Sequence, residues 1–447
     1  MILTILFGLI GFGIMVFFHE LGHFVVAKRA GIEVDTFSLG WGKKLFGFDH
    51  RGTNYRISLV PFGGYCKFRG EIPTDDESKP AAGTFYAAPP WKRIIVSAAG
   101  PLANILFAVV VLTIIWWAGF NIHSDGNYIV LASDYSLDSI SSSSPATRAG
   151  LSTGDRIVAI DGQPVEKFQD ILELVATAPN QSLNFVIDRE DRQLSLTITP
   201  ELDLQTGAGR IGVYAWRDPV VAEVAGDSAG AIAGLMAGDR ITAANGEQVA
   251  HTISLYQILS TRPENVELVL LRDGNELIRK LVLSYDENGV PDLGLSFRVS
   301  VFRTDKMNIL AALARGAMET GRTLGLTVKG IGLLFQGVNF RQSVAGPLRI
   351  TYYVGSVAAS GFKRGFSEGI VSFFRFLCSL SIILFLMNLL PIPALDGGQI
   401  VLFLVEIARR KPVKPRLVAG IQTIGFSFLI VLALVITFSD VLFFLGR

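Results

Sequence analysis

The amino-acid sequence predicts a membrane α-helical protein: four transmembrane helices, a membrane-associated β-hairpin, and a repeated, mostly β region between the second and third helices. Three observations carry this reading. Half of the 447 residues are hydrophobic and only 18% are charged, which is too apolar for an ordinary soluble domain. Four long apolar stretches occupy 2–24, 94–119, 371–395 and 417–445. Each meets the roughly 20 residues a helix needs to cross about 30 Å of hydrocarbon. Between the second and third, a turn-and-strand pattern recurs after 84 residues, the mark of an internal duplication.

The first stretch reads as an anchor rather than a signal peptide. No Lys or Arg precedes its apolar run and no small-residue cleavage site follows it. Basic residues near membrane ends set the orientation. Lys28, Arg29, Lys92 and Arg93 flank the first connection, and Arg409, Arg410, Lys411, Lys414 and Arg416 crowd the last. Asp125, Asp134 and Asp138 follow the second stretch, with no basic residue until Arg148. Loops 25–93 and 396–416 are therefore expected in the cytoplasm. Both termini and the large 120–370 region are expected outside. Lys363, Arg364 and Arg375 run against this and are outweighed by the cluster of five. A net charge of +1 leaves no nucleic-acid footprint. Cys66 and Cys378 form no CxxC pair and read as incidental thiols.

In the duplicated region, Ser144-Pro145-Ala146-Thr147-Arg148-Ala149-Gly150-Leu151 leads to Gly154-Asp155-Arg156-Ile157 and then Asp161-Gly162. The second copy runs from Ser228 through Ala233-Gly234-Leu235 to Gly238-Asp239-Arg240-Ile241 and Asn245-Gly246. Each continues into alternating strands, at 183–187 and 266–271. This pattern resembles the PDZ domain in its permuted bacterial form, over about 85 residues per copy. The resemblance implies two tandem extracytoplasmic PDZ domains, with Ile211-Gly212-Val213 where such domains hold a carboxylate-binding loop. The second copy departs from the Ser-Pro-Ala start, reading Ser228-Ala229-Gly230. Residues 307–336, with Arg315, Glu319, Arg322 and Lys329 among apolar positions, read as an amphipathic helix. It either lies on the outer membrane surface or packs on the β copies. Residues 71–80 are acidic and proline-flanked and read as a flexible loop. The resulting layout is 1–119 for helices one and two with the hairpin, 120–205 and 206–300 for the two copies, 301–370 for a linker with the surface helix, and 371–447 for helices three and four.

The chemistry sits in His19-Glu20-Leu21-Gly22-His23. On a helix, HExxH puts two histidines at i and i+4 on one face. Neutral imidazoles suit zinc, which takes three protein ligands when catalytic. Glu20 can take the attacking water's proton and pass it to a leaving amine. The third ligand must share the histidines' depth. His19 lies roughly 26 Å along a helix that starts near residue 2, close to the inner face. Asp396 ends the third stretch at the same face, in Pro391-Ile392-Pro393-Ala394-Leu395-Asp396-Gly397-Gly398. Glu406 competes with it, but stands beside Arg409 and Arg410 and is expected to pair with them. Pro391 and Pro393 unwind the helix before Asp396, and irregular backbone at membrane depth must line a cavity. Residues 55–68, with Pro61-Phe62-Gly63-Gly64-Tyr65, alternate like a hairpin.

HELGH on the first helix, LDGG after the third and the two PDZ-like copies between them resemble the site-2 protease family. Within it they resemble the regulator-of-sigma-E type of Gram-negative bacteria. The likeness spans essentially the whole chain. It implies zinc held by His19, His23 and Asp396, Glu20 as catalytic base, and Asn388 holding the substrate backbone. It also implies a hairpin on the cytoplasmic side that pairs with the substrate, so Gly63, Gly64, Tyr65, Pro391 and Pro393 join the substrate-binding set. Gly100-Pro101-Leu102-Ala103-Asn104 matches a further family signature, with Asn104 as a structural candidate. The implied partners are the lipid bilayer and a single-span membrane substrate such as an anti-sigma factor, with remnant signal peptides as a second class. The implied site of action is the bacterial inner membrane. The rival from another class is an inactive PDZ scaffold, which the intact Glu20 does not favour. A metal transporter would need polar residues along several helices, which the second and fourth stretches lack.

Overall fold

The computed structural model describes residues 2–71, 81–135, 144–204, 206–286, 290–334 and 345–445. Most of the predicted acidic loop, 72–80, lies outside these described residues. The chain divides into a helical unit (2–120, 304–334 and 345–445) and a β-rich unit (121–303).

The helical unit begins with α1 (Ile2–Ala30), β1 (Val34–His50), β2 (Thr53–Phe68) and α2 (Pro90–Ala118). The β-rich unit contributes the short helices α3 (Pro145–Arg148), α4 (Phe168–Ala176), α5 (Ala229–Ile232) and α6 (Thr252–Leu259). The helical unit resumes with α7 (Ile309–Leu334), α8 (Pro347–Arg364), α9 (Phe366–Asn388), α10 (Asp396–Arg409) and α11 (Pro415–Phe444). Among the described residues, α1, α2, α9 and α11 are the helices long and apolar enough to cross a membrane. This is a membrane protein. Of the four, α2 is the most enclosed, with 44% of its apolar window buried against 6% for α11. It packs against α1, α7, α9 and α10. Met15, Phe107, Leu112, Val354, Phe373 and Leu377 form the core between these helices.

Three elements differ from expectation. The amphipathic helix is α7, with Arg315, Arg322 and Lys329 exposed and Glu319 turned to other helices. It lies along α2, where Glu319 accepts from Trp116 Nε1 at 2.6 Å and pairs with Arg375 of α9. Arg315 stacks on Trp116, and Leu324 reaches the core beside Phe107. The Glu319 pairing also explains a cation in an apolar helix at Arg375. The linker holds a second helix, α8, against α1 and α9. Finally, the loop expected at 396–416 is mostly α10.

β1 and β2 pair antiparallel, and each bends back on itself. Residues 36–39 of β1 pair both with 64–67 and with 54–57 of β2, while 46–50 pair with 53–57. Two sequence strands thus make four sheet positions, turning at Arg51-Gly52, where both residues have positive φ. The hairpin is longer than the 55–68 stretch that alternation revealed. Its far end exposes Trp41, Leu45, Phe46, Phe48 and Leu59.

In the β-rich unit the duplication is structural. Strands 156–160, 163–164, 183–189 and 192–198 form one four-stranded sheet, and 240–244, 247–248, 265–272 and 275–282 form its counterpart. Ile157, Phe185 and Ile187 fill the first core, and Ile241, Leu268 and Leu270 the second. The shared Gly-Asp now has a reason. Asp155 accepts from the Ser152 amide and pairs with Arg189, which also bonds the Gly150 carbonyl. Asp239 does the same with Met236, Arg272 and Gly234. The altered start of the second copy keeps its function, because Ser228 caps α5 as Ser144 caps α3.

The Arg272 guanidinium holds the Asp239 carboxyl below the usual carboxylate range. Its folded pKa therefore lies below the unfolded value of about 3.9. The pair stabilises the fold above that value, and the contribution is lost as pH falls through it toward the depressed pKa. Asp239→Asn is expected to destabilise the second copy at neutral pH and to flatten its acid dependence. Amide exchange of strand 265–272 across an acid titration checks this; a variant as acid-sensitive as the parent would count against it.

Candidate metal centre

His19, Glu20 and His23 lie past the midpoint of α1, with the two imidazoles one turn apart. Asp396 is the first residue of α10. The chain leaves α9 at Asn388 and crosses an irregular segment, 389–395, in which Ala394 holds φ at 77°. A non-glycine residue there is strained. The two glycines after Asp396 let this segment fold over the start of α10. A Cβ at Gly397 would meet the Leu389 carbonyl at 2.3 Å, and one at Gly398 would meet that of Ile392 at 2.2 Å. The Leu-Asp-Gly-Gly run is thus a packing requirement that fixes where the Asp396 carboxylate points.

His19 Nε2 lies 3.4 Å from Asp396 Oδ2, and His23 Nε2 lies 3.4 Å from Asp396 Oδ1. The two Nε2 atoms are 3.3 Å apart. Zinc with bonds of about 2.0–2.1 Å in tetrahedral geometry needs donor atoms separated by about 3.3 Å. The observed separations match those edges, and the His₂Asp donor set suits zinc. These three residues could hold the ion. Among the described residues they are the one group of three or more ligating side chains brought together in this way.

Glu20 faces the hairpin rather than the cluster's far side. Its carboxylate accepts a hydrogen bond from the Cys66 backbone. Gly64 is needed for this approach, since a Cβ there would lie 2.7 Å from Val16 Cγ1 and 3.2 Å from Glu20 Cγ. Residues 64–68 pair with β1 on one side. On the other side they have no ladder partner among the described residues.

The remaining sequence candidates are spread around this centre. Asn388 ends α9, and Pro391 and Pro393 lie in the irregular segment, with the Pro393 carbonyl against Gly425 of α11. Gly63 packs on the Trp41 indole. Tyr65 stacks near Trp41 and its hydroxyl bonds Arg56. Gly63 and Tyr65 therefore shape the hairpin, while Gly64 reaches Glu20. Glu406 is not at the cluster. It pairs with Arg93 at 2.6 Å and accepts from the Val413 amide, not with Arg409 or Arg410 as expected. The sequence neighbours lost because they lie on the exposed face, whereas Arg93 is buried between Tyr86 and Phe403.

One face of α2 organises the site. Arg93 grips α10 through Glu406, and Ser97 donates to Gln399 of α10. The Val96 carbonyl lies 2.8 Å from His23 Nδ1, and the Asn104 amide lies 3.1 Å from His19 Nδ1. Gly100 lies under the His23 ring. Of these, sequence reading named Gly100 and Asn104 through a family signature and Arg93 as an orientation signal. The signal that could have joined them is a stripe of small and polar residues, at 93, 97, 100 and 104, in an otherwise apolar helix.

The sequence profile of Peptidase family M50 matches residues 7–432. The chain belongs to peptidase family M50. A relative from Treponema pallidum (strain Nichols), named as a zinc metalloprotease, is 40% identical over 449 residues, covering 99% of each chain. The regulator of sigma E protease of Haemophilus influenzae is 29% identical over 456 residues, covering 97% of each chain. A solved PDZ domain of an SdrC-like protein from Listeria monocytogenes overlaps 19% of this chain and 90% of that one, at 20% identity and a TM-score of 0.17. This M50 peptidase is a zinc metalloprotease of the site-2 protease type.

Proposed function

We propose that this M50 peptidase is an endoprotease that cuts the transmembrane segments of single-span membrane proteins. His19, His23 and Asp396 hold the zinc and Glu20 moves the proton. The observation that carries this reading is the His₂Asp cluster lying among apolar helices, with a strand edge that has no ladder partner among the described residues ending beside Glu20. Zinc bound there would supply Lewis-acid chemistry to the scissile carbonyl. The Glu20 carboxylate would take the attacking water's proton and give it to the leaving amine.

A helical substrate hides its peptide bonds, so it must be extended before attack. The edge at 64–68 can take it as an added strand. Gly64 brings that edge to Glu20, and Gly63 and Tyr65 brace it through Trp41. Asn388, with the backbone of the Pro391–Pro393 turn, would hold the unwound substrate from the opposite side.

The four apolar helices span the bacterial inner membrane, with the metal centre near the cytoplasmic face and both termini outside. The two β copies act as periplasmic PDZ domains. They exclude substrates with bulky outer domains. The Haemophilus relative's name ties it to sigma E regulation; with the family resemblance this supports an anti-sigma factor as substrate, and remnant signal peptides share the same chemistry.

Purified protein mixed with single-span substrates should cut within the apolar segment. A chelator should abolish the cut and added zinc restore it. Failure of zinc-loaded protein to cut any such substrate would sink this reading. Excising residues 121–303 should admit substrates whose outer domains are intact; unchanged discrimination would remove the gating role alone.

A further inference from the structure

The two histidines contact α2 differently. His23 Nδ1 faces the Val96 carbonyl at 2.8 Å. A carbonyl only accepts, so Nδ1 carries the hydrogen and Nε2 keeps its lone pair. Among the described residues, His19 meets no such carbonyl. Its Nδ1 faces the side-chain amide of Asn104 at 3.1 Å.

Asn104 is fully buried. Its backbone carbonyl accepts from Ser381 Oγ at 3.1 Å, which ties this turn of α2 to α9. The side-chain Oδ1 has no hydrogen-bond partner among the described residues. The carboxamide fits the same space in two orientations. With Nδ2 toward His19, Nδ1 must accept. The ring hydrogen then sits on Nε2, pointing at Asp396 and His23. With Oδ1 toward His19, Nδ1–H donates to it. Both imidazoles then give their Nδ1–H to α2, and both Nε2 lone pairs converge beside Asp396.

We propose that Asn104 is a positioning residue that fixes the tautomer and ring orientation of His19, so that Nε2 faces the metal. The inference rests on the ligand reading above. Ligating histidines are generally oriented through their other ring nitrogen, and here α2 supplies that partner to both rings from one helix face. The orphaned buried oxygen is what singles out Asn104. A packing role would leave the amide indifferent to His19, whereas the metal-loaded tautomer pairs that oxygen with His19 Nδ1–H and turns Nδ2 to the side where Oδ1 stood.

The test compares full-length wild type, Asn104→Leu and Asn104→Asp in detergent, with His19→Ala as reference. Zinc retention is read by competition with a chelator, and the ligand field by the visible spectrum after Co²⁺ substitution. Asn104→Leu removes the acceptor at similar volume and should give up zinc about 10–100-fold more readily, with altered Co²⁺ bands. Asn104→Asp keeps the acceptor and should hold zinc at least as well as wild type. If Asn104→Leu fails to fold, as judged by its helical melting profile, Asn104→Ala carries the same expectation. Wild-type retention in both variants would overturn the inference. So would equal loss in both, which would mark a packing role. Wild type losing zinc as easily as His19→Ala would instead overturn the ligand reading beneath it.

Discussion

Glu20→Gln is expected to slow peptide-bond cleavage by about 10²–10⁴-fold, the usual worth of a positioned general base, while zinc stays bound. Glutamine has nearly the same shape, and its amide oxygen can still accept from the Cys66 backbone that Glu20 now meets. The separations among His19, His23 and Asp396 do not depend on it. What the variant loses is a group able to accept a proton. Initial rates on a single-span substrate, with zinc content measured on the same sample, check both halves. An unchanged rate would remove Glu20 from the chemistry. A lost metal would show that Glu20 supports the site structurally. A protein whose work is scaffolding would keep its function in this variant.

The chemistry was legible in the sequence because it depends on short spacings. Two histidines four apart on one helix must share a face, and Asp396 follows from matching depths along helices that run the same way. The choice between Asp396 and Glu406 was harder. Arg93 settles it from 313 residues away in the chain, and nothing local to Glu406 announces that partner. Arg93 itself read as an orientation signal at a membrane edge, whereas the structure buries it. The partners of Glu319 on α7 were not legible for a related reason. Amphipathic spacing reports that one face is polar, not whether water or another helix meets it. Here Trp116 and Arg375 meet it. Helix α10 was missed because 396–416 read as a basic loop between the third and fourth stretches, whereas Gly397 and Gly398 permit a close crossing at its first turn. In the duplicated region, the Gly-Asp pairs were visible but Arg189 and Arg272 were not, because each stands over 30 residues downstream of its aspartate. The second counterpart of Ile211-Gly212-Val213 was also missed. It is Leu293-Gly294-Leu295, where the Ala225 amide bonds the Gly294 carbonyl as the Ala132 amide bonds that of Gly212.

Gly100→Ala is expected to cut activity by about 10²-fold or more without weakening α2. An alanine Cβ at this position would stand 2.2 Å from His23 Nε2 and 2.6 Å from Cδ2 and Cε1. The clash is with the ligating edge of the ring. That ring is tethered at Nδ1 to the Val96 carbonyl one turn earlier on the same helix, so it must swing away from the cluster. A displacement of about 1 Å in a reacting constellation can cost 10²-fold. The helix itself should gain, because alanine is favoured over glycine by roughly 1 kcal/mol in a helix interior. The variant therefore separates site geometry from fold: helical content and thermal stability should hold or rise while cleavage and zinc retention fall together. Full activity would mean that the working enzyme keeps the His23 ring off Gly100. The glycine would then serve only the crossing of α1 and α2.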